Sequence, residues 1–185
     1  TWRGVAGFPP EGTVSETFTS RPARPEDIPA MAVFIFEHGP NPWNYLPQEA
    51  VLAHLQGIAE GSVQAVLAEQ EGGALAGFVT FLASSNFERY QPAERRDLPQ
   101  GYVGEAVVHR ELAGRGLGSR LLGAAIQGLR AQGIGDIYIE RHEENAGSAG
   151  MMRKAGFVEV ETFPDPQRRG AGSRRTTLCY LKVGD

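Results

Sequence analysis

The stretch Val107-Val108-His109-Arg110-Glu111-Leu112-Ala113-Gly114-Arg115-Gly116-Leu117-Gly118-Ser119 leads from an apolar strand through a glycine-rich turn into an aliphatic helix. A helix that opens this way gathers N–H groups without intrahelical partners at the positive end of its dipole, which suits phosphate oxygens. Glycines let the backbone approach those oxygens with no Cβ between. Two nucleotide patterns fail on spacing. G-x-G-x-x-G needs a third glycine where Ser119 or Leu121 stands, and G-x-x-x-x-G-K-[ST] needs a lysine that this turn lacks. The glycines alone suit a phosphate cradle and a plain turn before a buried helix equally well. Upstream, Glu105 falls in the row of Val103 and Val107, where a carboxylate buried without a partner is costly. It reads either as a proton acceptor or as an ordinary salt-bridged or rim glutamate. His109 reads as a proton shuttle or, more plainly, as a solvated turn histidine, and His142-Glu143-Glu144 as a wet charged rim. No nucleophile triad is visible, and Cys179 reads as core filler.

The elements that must position these residues follow from periodicity. Pro25, Glu26 and Asp27 open a helix whose stripe is Ile28, Met31, Ala32 and Ile35, ending at Gly39. A second helix from Pro47 carries Val51, Leu55 and Ile58 to about Gly61. Strand-like runs over 63–69 and 75–83 flank Glu71-Gly72-Gly73, a hairpin signal. Residues 84–101 are polar and irregular, a length that often marks a functional flap. A strand over 102–108 precedes the glycine turn, and the next helix runs through about Gln132 on Leu117, Leu121, Leu122, Ala125, Ile126 and Leu129. A strand over 136–141, a short helix from Ala146 to Gly156, and strands over 158–163 and 176–183 close the chain. The expectation is one α+β domain over 21–185, with a mixed, mostly antiparallel sheet of about seven strands and about four flanking helices. Residues 1–20, rich in Gly, Pro and Thr with a weak strand signal over 14–19, read as an N-terminal extension.

Composition limits the function classes. The chain has 185 residues, enough for one core without staples. Eighteen basic against 22 acidic residues give a net charge of −4, which argues against nucleic acid as the main partner. Hydrophobic residues at 41% exclude a disordered chain. Glycine, at 24 residues, is nearly twice the usual share of about 7%, so a turn-rich fold is expected. One cysteine excludes a disulfide framework and favours a reducing compartment. No apolar run suits a membrane span and no signal peptide is visible, so a cytoplasmic protein is expected.

Arg115-Gly116-Leu117-Gly118 before an aliphatic helix, then a strand, Asn145, and Arg153-Lys154-Ala155-Gly156-Phe157 together resemble the GNAT superfamily of acyl-CoA-dependent N-acetyltransferases. The resemblance is strongest over 102–157 and extends loosely over 21–182. It implies acetyl-CoA as cofactor and no metal. It implies a pyrophosphate site at Gly114, Arg115, Gly116, Leu117, Gly118 and Ser119, formed mostly by backbone N–H. The strand edge at Val107 and Val108 would bind pantetheine, beside a bulge whose N–H polarises the thioester carbonyl. Asn145 would reach the pantetheine arm, and Glu105 matches a position where relatives often place Asp or Glu, which fits the role of proton acceptor. Two positions depart from the family pattern. Ala113 replaces a usual Gln or Arg, which removes one side-chain contact. Met152 replaces a tyrosine taken as the general acid. Methionine has no proton to donate, which leaves the acid unassigned, though a thiol with a pKa near 8.5 can leave unaided.

The acceptor pocket implied by the family falls on 37–48, 84–101 and 163–175. Trp43 and Tyr45 are candidate walls for an amine, or simply pack beneath their loop. Arg168, Arg169, Arg174 and Arg175 read as an anion clamp or, more plainly, as a solvated basic loop. The resulting expectation is direct acetyl transfer to a small-molecule, peptide or protein amine by a monomer or homodimer. The alternative is a non-catalytic acyl-CoA-binding sensor or partner protein, suggested by Met152.

Overall fold

Strand β3 (Leu75–Ser84) is buried along most of its length, as a strand covered on both faces must be. The computed structural model describes residues 18–182, which form an open sheet of seven strands. The others are β1 (Thr19–Pro22), β2 (Gln64–Glu69), β4 (Gln100–Val108), β5 (Asp136–His142), β6 (Val158–Pro164) and β7 (Arg175–Lys182). Their order is β1-β2-β3-β4-β5-β7-β6, and only the β4–β5 pair is parallel. Strand β1 starts at Thr19, inside the segment read as an extension, and residues 1–17 lie outside the described part of the chain.

Helices α1 (Ile28–His38) and α2 (Gln48–Glu60) bury Met31, Phe34, Ile35, Val51 and Leu55 against Leu67, Phe78 and Val107. Helices α3 (Leu117–Ala131) and α4 (Ala146–Ala155) cover the other face, where Leu121, Leu122, Leu129 and Met152 meet Val79, Phe81, Val103 and Ile139. Period-2 alternation along β3 feeds both cores, with Phe78 on one side and Val79 and Phe81 on the other. The element order and architecture agree with the expected α+β domain.

Strand β4 departs from regularity twice. Val79 pairs with Ala106 and Phe81 with Val103, so Thr80 alone faces both Gly104 and Glu105, a β-bulge. The extra residue turns the strand over: Val103 packs on the α3 side and Val107 on the α1–α2 side. The single Val103–Val107 row read from the sequence therefore does not exist, and Glu105 stands at the point where the face changes. Secondly, β4 pairs with β5 only from Gln100–Asp136 to Val103–Ile139, while β4 runs on to Val108 and β5 to His142. The two strands separate where the bulge begins.

Residues 84–101 are firmly tied down, contrary to the flap expected of them. They contain two 3-10 turns, Glu88–Tyr90 and Ala93–Arg95. Phe87 stacks on Tyr138 at 4.7 Å, and Arg95 and Gln91 bond the buried Asp136 at 2.8 and 3.2 Å. A buried carboxylate needs such partners, and they anchor the loop to the start of β5.

Candidate active site

A cavity of about 310 Å³ occupies the gap between β4 and β5. Strand β4 contributes Tyr102, Gly104, Glu105 and Ala106; α4 contributes Met152; the α1–α2 side contributes Tyr45 and His54. The bulge aims Glu105 at this space. Its N–H donates to Thr80 Oγ1 at 2.8 Å, and burial pushes its carboxyl up to about 7, an effect that the charge of Arg169 partly offsets. A group poised there exchanges protons readily near neutral pH.

His54 completes the bulge. Its Nε2 lies 2.8 Å from Thr80 Oγ1, and burial lowers its pKa, which favours the neutral ring. Gly104 allows this approach, since a Cβ there would come within 2.9 Å of His54 Nε2 and 2.8 Å of Thr80 Oγ1. His54 carries no motif in the sequence. Its signal was its place in the apolar stripe of α2, three residues after Val51 and one before Leu55.

The glycine turn lies next along the chain. Gly114 and Gly116 adopt φ of +82° and +78°, and apart from their immediate chain neighbours nothing lies within 4 Å of where their Cβ would be. Arg120 N donates to Gly116 O, so the N–H groups of Leu117, Gly118 and Ser119 precede the helical ladder of α3. Buried Leu112 and Leu117 anchor the turn on either side, while Ala113, Gly114, Arg115 and Gly116 are exposed. At Gly118 a Cβ would sit 3.3 Å from Met151 Sδ, so this glycine also sets how close α4 can lie. His109 is not a solvated turn residue. Its ring lies 4.0 Å from that of His38, and its Nδ1 accepts from Glu111 N at 3.1 Å. Packing against α1 supplies the contact that the sequence does not show.

The remaining candidates divide. Val107 is buried and Val108 half-buried; both pair with β3 and lie beyond the last β4–β5 pair, Val103–Ile139. Asn145 lines the cavity while its Oδ1 accepts from Ser148 N at 3.1 Å and caps α4. Tyr45 lines the cavity, whereas Trp43 packs on the His142 ring at 4.8 Å. His142 is buried at 1% exposure, with Nδ1 accepting from Glu144 N at 3.0 Å and Nε2 positioned 2.8 Å from Ala171 O. It is thus a strut for the last loop, and only Glu143 and Glu144 form the expected rim. Arg168 and Arg169 are half-buried in the cavity wall, which corrects the reading of a solvated loop for these two. Cys179 is buried in the core, and burial raises its thiol pKa.

The family model for the acetyltransferase (GNAT) family matches residues 30–157. The chain belongs to the GNAT acetyltransferase family. Acetyl-CoA is the co-substrate of this family, and the open backbone at Gly114 and Gly116 and the separated β4 and β5 fit it. Solved structures show the same GNAT fold. The ribosomal-protein-S18-alanine N-acetyltransferase from Escherichia coli matches with a TM-score of 0.68 and 16% identity over 91% of this chain and 96% of its own. A Salmonella typhimurium protein assigned as an acetyltransferase, solved with its cofactor acetyl-CoA, gives 0.67 and 18% over 91% and 95%. An IAA acetyltransferase from Bacillus cereus gives 0.65 and 14% over 90% and 100%. No curated protein sequence matches significantly. No helix of the described residues is long and apolar enough to cross a membrane.

Proposed function

We propose that the protein transfers the acetyl group of acetyl-CoA to a primary amine by direct attack in the cavity at the β4 bulge. The observation that carries this reading is the alignment, along one strand, of a carboxyl poised near neutrality, an opened strand edge and an unfilled helix start. Bound acetyl-CoA supplies a thioester whose acyl carbon is open to an amine. The N–H groups of Leu117, Gly118 and Ser119, with the turn from Gly114 to Gly116, would hold the pyrophosphate. The backbone edge at Val107 and Val108 would pair with the pantetheine arm, and the Asn145 amide would reach it. Glu105 would take the proton that the amine must lose, directly or through water, because an ammonium has no lone pair for attack.

No side chain of the wall is assigned to protonate the departing sulfur. Met152 has no proton to give. Tyr102 donates its hydroxyl to Glu140 at 2.9 Å, and burial drives its pKa far above the ordinary tyrosine value. A thiol of pKa near 8.5 is a good enough leaving group to depart as the thiolate.

The test is a thermal-shift titration with acetyl-CoA followed by thiol release across a panel of amines. Stabilisation by acetyl-CoA with release on at least one amine is the expected result. Stabilisation with no turnover on any acceptor, peptides included, would favour the acyl-CoA sensor instead. Stabilisation by ATP or NAD in preference to coenzyme A would remove both readings.

A further inference from the structure

Arg168 and Arg169 are neighbours in the loop between β6 and β7, and both reach the cavity wall, yet their surroundings differ. Arg168 is paired with two acids: Nη1 and Nη2 bond the two oxygens of Glu140 at 3.1 and 2.9 Å, and Nε bonds Asp165 at 2.8 Å. That fork holds the loop against β5. Arg169 has neutral partners only among the described residues. Its Nε donates to Thr176 Oγ1 at 2.9 Å and its Nη1 to Trp43 O at 3.2 Å. These two bonds aim the guanidinium and leave N–H groups for a ligand, since the group carries five. The acids whose charge it feels, Glu140 and Asp165, are both taken by Arg168.

A half-buried guanidinium hydrogen-bonded only to neutral acceptors has no carboxylate in direct contact, and desolvation makes that costly. Arg169 and Glu105 both line the same cavity, and the charge of Arg169 acts on Glu105. An acceptor that brought an anionic oxygen pair to Arg169 and an amine to Glu105 would complete the site from both ends. A volume of about 310 Å³ is at the small end for ligand cavities, which suits a single small molecule.

We propose that the acceptor is a small amine bearing a carboxylate, the carboxylate bound by Arg169 while the amine faces Glu105. The proposal rests on the acetyl-transfer reading for the role of Glu105, but the carboxylate contact is a binding event that can be measured apart from turnover. The amine nitrogen forms the bond to the acetyl carbon, the bond to sulfur breaks, and the carboxylate is unchanged.

The experiment compares matched acceptor pairs on the full protein saturated with coenzyme A for binding, or with acetyl-CoA for turnover. Leucine is set against isopentylamine and leucine methyl ester, and phenylalanine against phenethylamine. Calorimetry reads binding and thiol release reads transfer. The expected result is a preference for the carboxylate-bearing partner of roughly 10–100-fold, the usual worth of a hydrogen bond to a charged group. Arg169→Gln should abolish that preference by raising KM for the amino acids, with acetyl-CoA affinity unchanged, and Arg169→Lys should restore part of it. Equal or better binding and turnover of the decarboxylated amines by the unmodified protein overturns the proposal and leaves acetyl transfer standing. So does the absence of binding by any amino acid. Selective, Arg169-dependent binding of amino acids with no thiol release would support the carboxylate site and refute the transfer reading.

Discussion

Glu105 combines two roles that oppose each other. As a base it must be ionised, and with its pKa pushed up to about 7 by burial its activity should rise with pH through that region and level off above it. Glu105→Gln should lower kcat by roughly 10²–10⁴-fold, remove that limb of the pH profile and leave acetyl-CoA affinity unchanged. The same variant tests the cost of the arrangement. A carboxyl whose folded pKa exceeds its unfolded value near 4.5 loses stability to the fold as pH rises between the two. Glu105→Gln should therefore be more stable to chemical denaturation than the parent at pH 8, by about 1–3 kcal/mol, with the gain shrinking to nothing near pH 4.5. A variant that loses activity but shows no pH-dependent stabilisation would mean that Glu105 is not buried as described. His54 belongs to this scale too. Its bond to Thr80 makes it a positioning residue for the bulge, and its place in an amphipathic stripe gave it the look of an ordinary core-facing side chain.

At the scale of the element, the strand, turn and helix from β4 to α3 act as one unit. Buried Leu112 and Leu117 pin the turn, so its exposed backbone is presented in a set shape. Gly116→Val would place a branched side chain at φ +78°, a conformation that costs an L-residue about 1–2 kcal/mol. It would also fill the space in front of the helix start. Acetyl-CoA affinity should fall by at least about 10-fold, and calorimetric titration reads it. Unchanged affinity would show that the phosphates sit elsewhere. This unit was legible in advance because positive φ, an apolar strand and an aliphatic helix each leave a local mark. The resemblance implies a bulge beside Val107 and Val108, but its actual place at Gly104 and Glu105 leaves no local mark, since it depends on Thr80 of another strand facing both.

Across the whole molecule, the buried Asp136 ties the 84–101 loop to the sheet. Burial alone would raise its pKa, but hydrogen bonds from Tyr180, Arg95 and Gln91 outweigh it and hold the carboxylate below its usual value. A depressed folded pKa adds stability that is present above the unfolded value near 3.8 and is lost as pH falls through the folded one. Asp136→Asn should destabilise the protein by about 3–5 kcal/mol at pH 7, because it breaks the ion pair between Arg95 and the buried Asp136. The difference in chemical denaturation between parent and variant should narrow under acid. An unchanged gap at low pH would mean that the charge of Asp136 contributes little.

Local chemistry settled the order of elements, the glycine turn and the presence of a carboxylate on β4, because hydrophobic period, turn residues and helix-start signals act over a few neighbours. The sequence by itself thus determined a family-like scaffold and one half of the site. The other half is decided by residues distant in the chain. His54 reaches Thr80, His142 supports the loop at Ala171, and Arg168 spends its charge on Glu140 while Arg169 keeps its own. Which of two adjacent arginines is neutralised depends on which carboxylate the folded sheet brings within about 3 Å, and no run of neighbouring residues carries that distance.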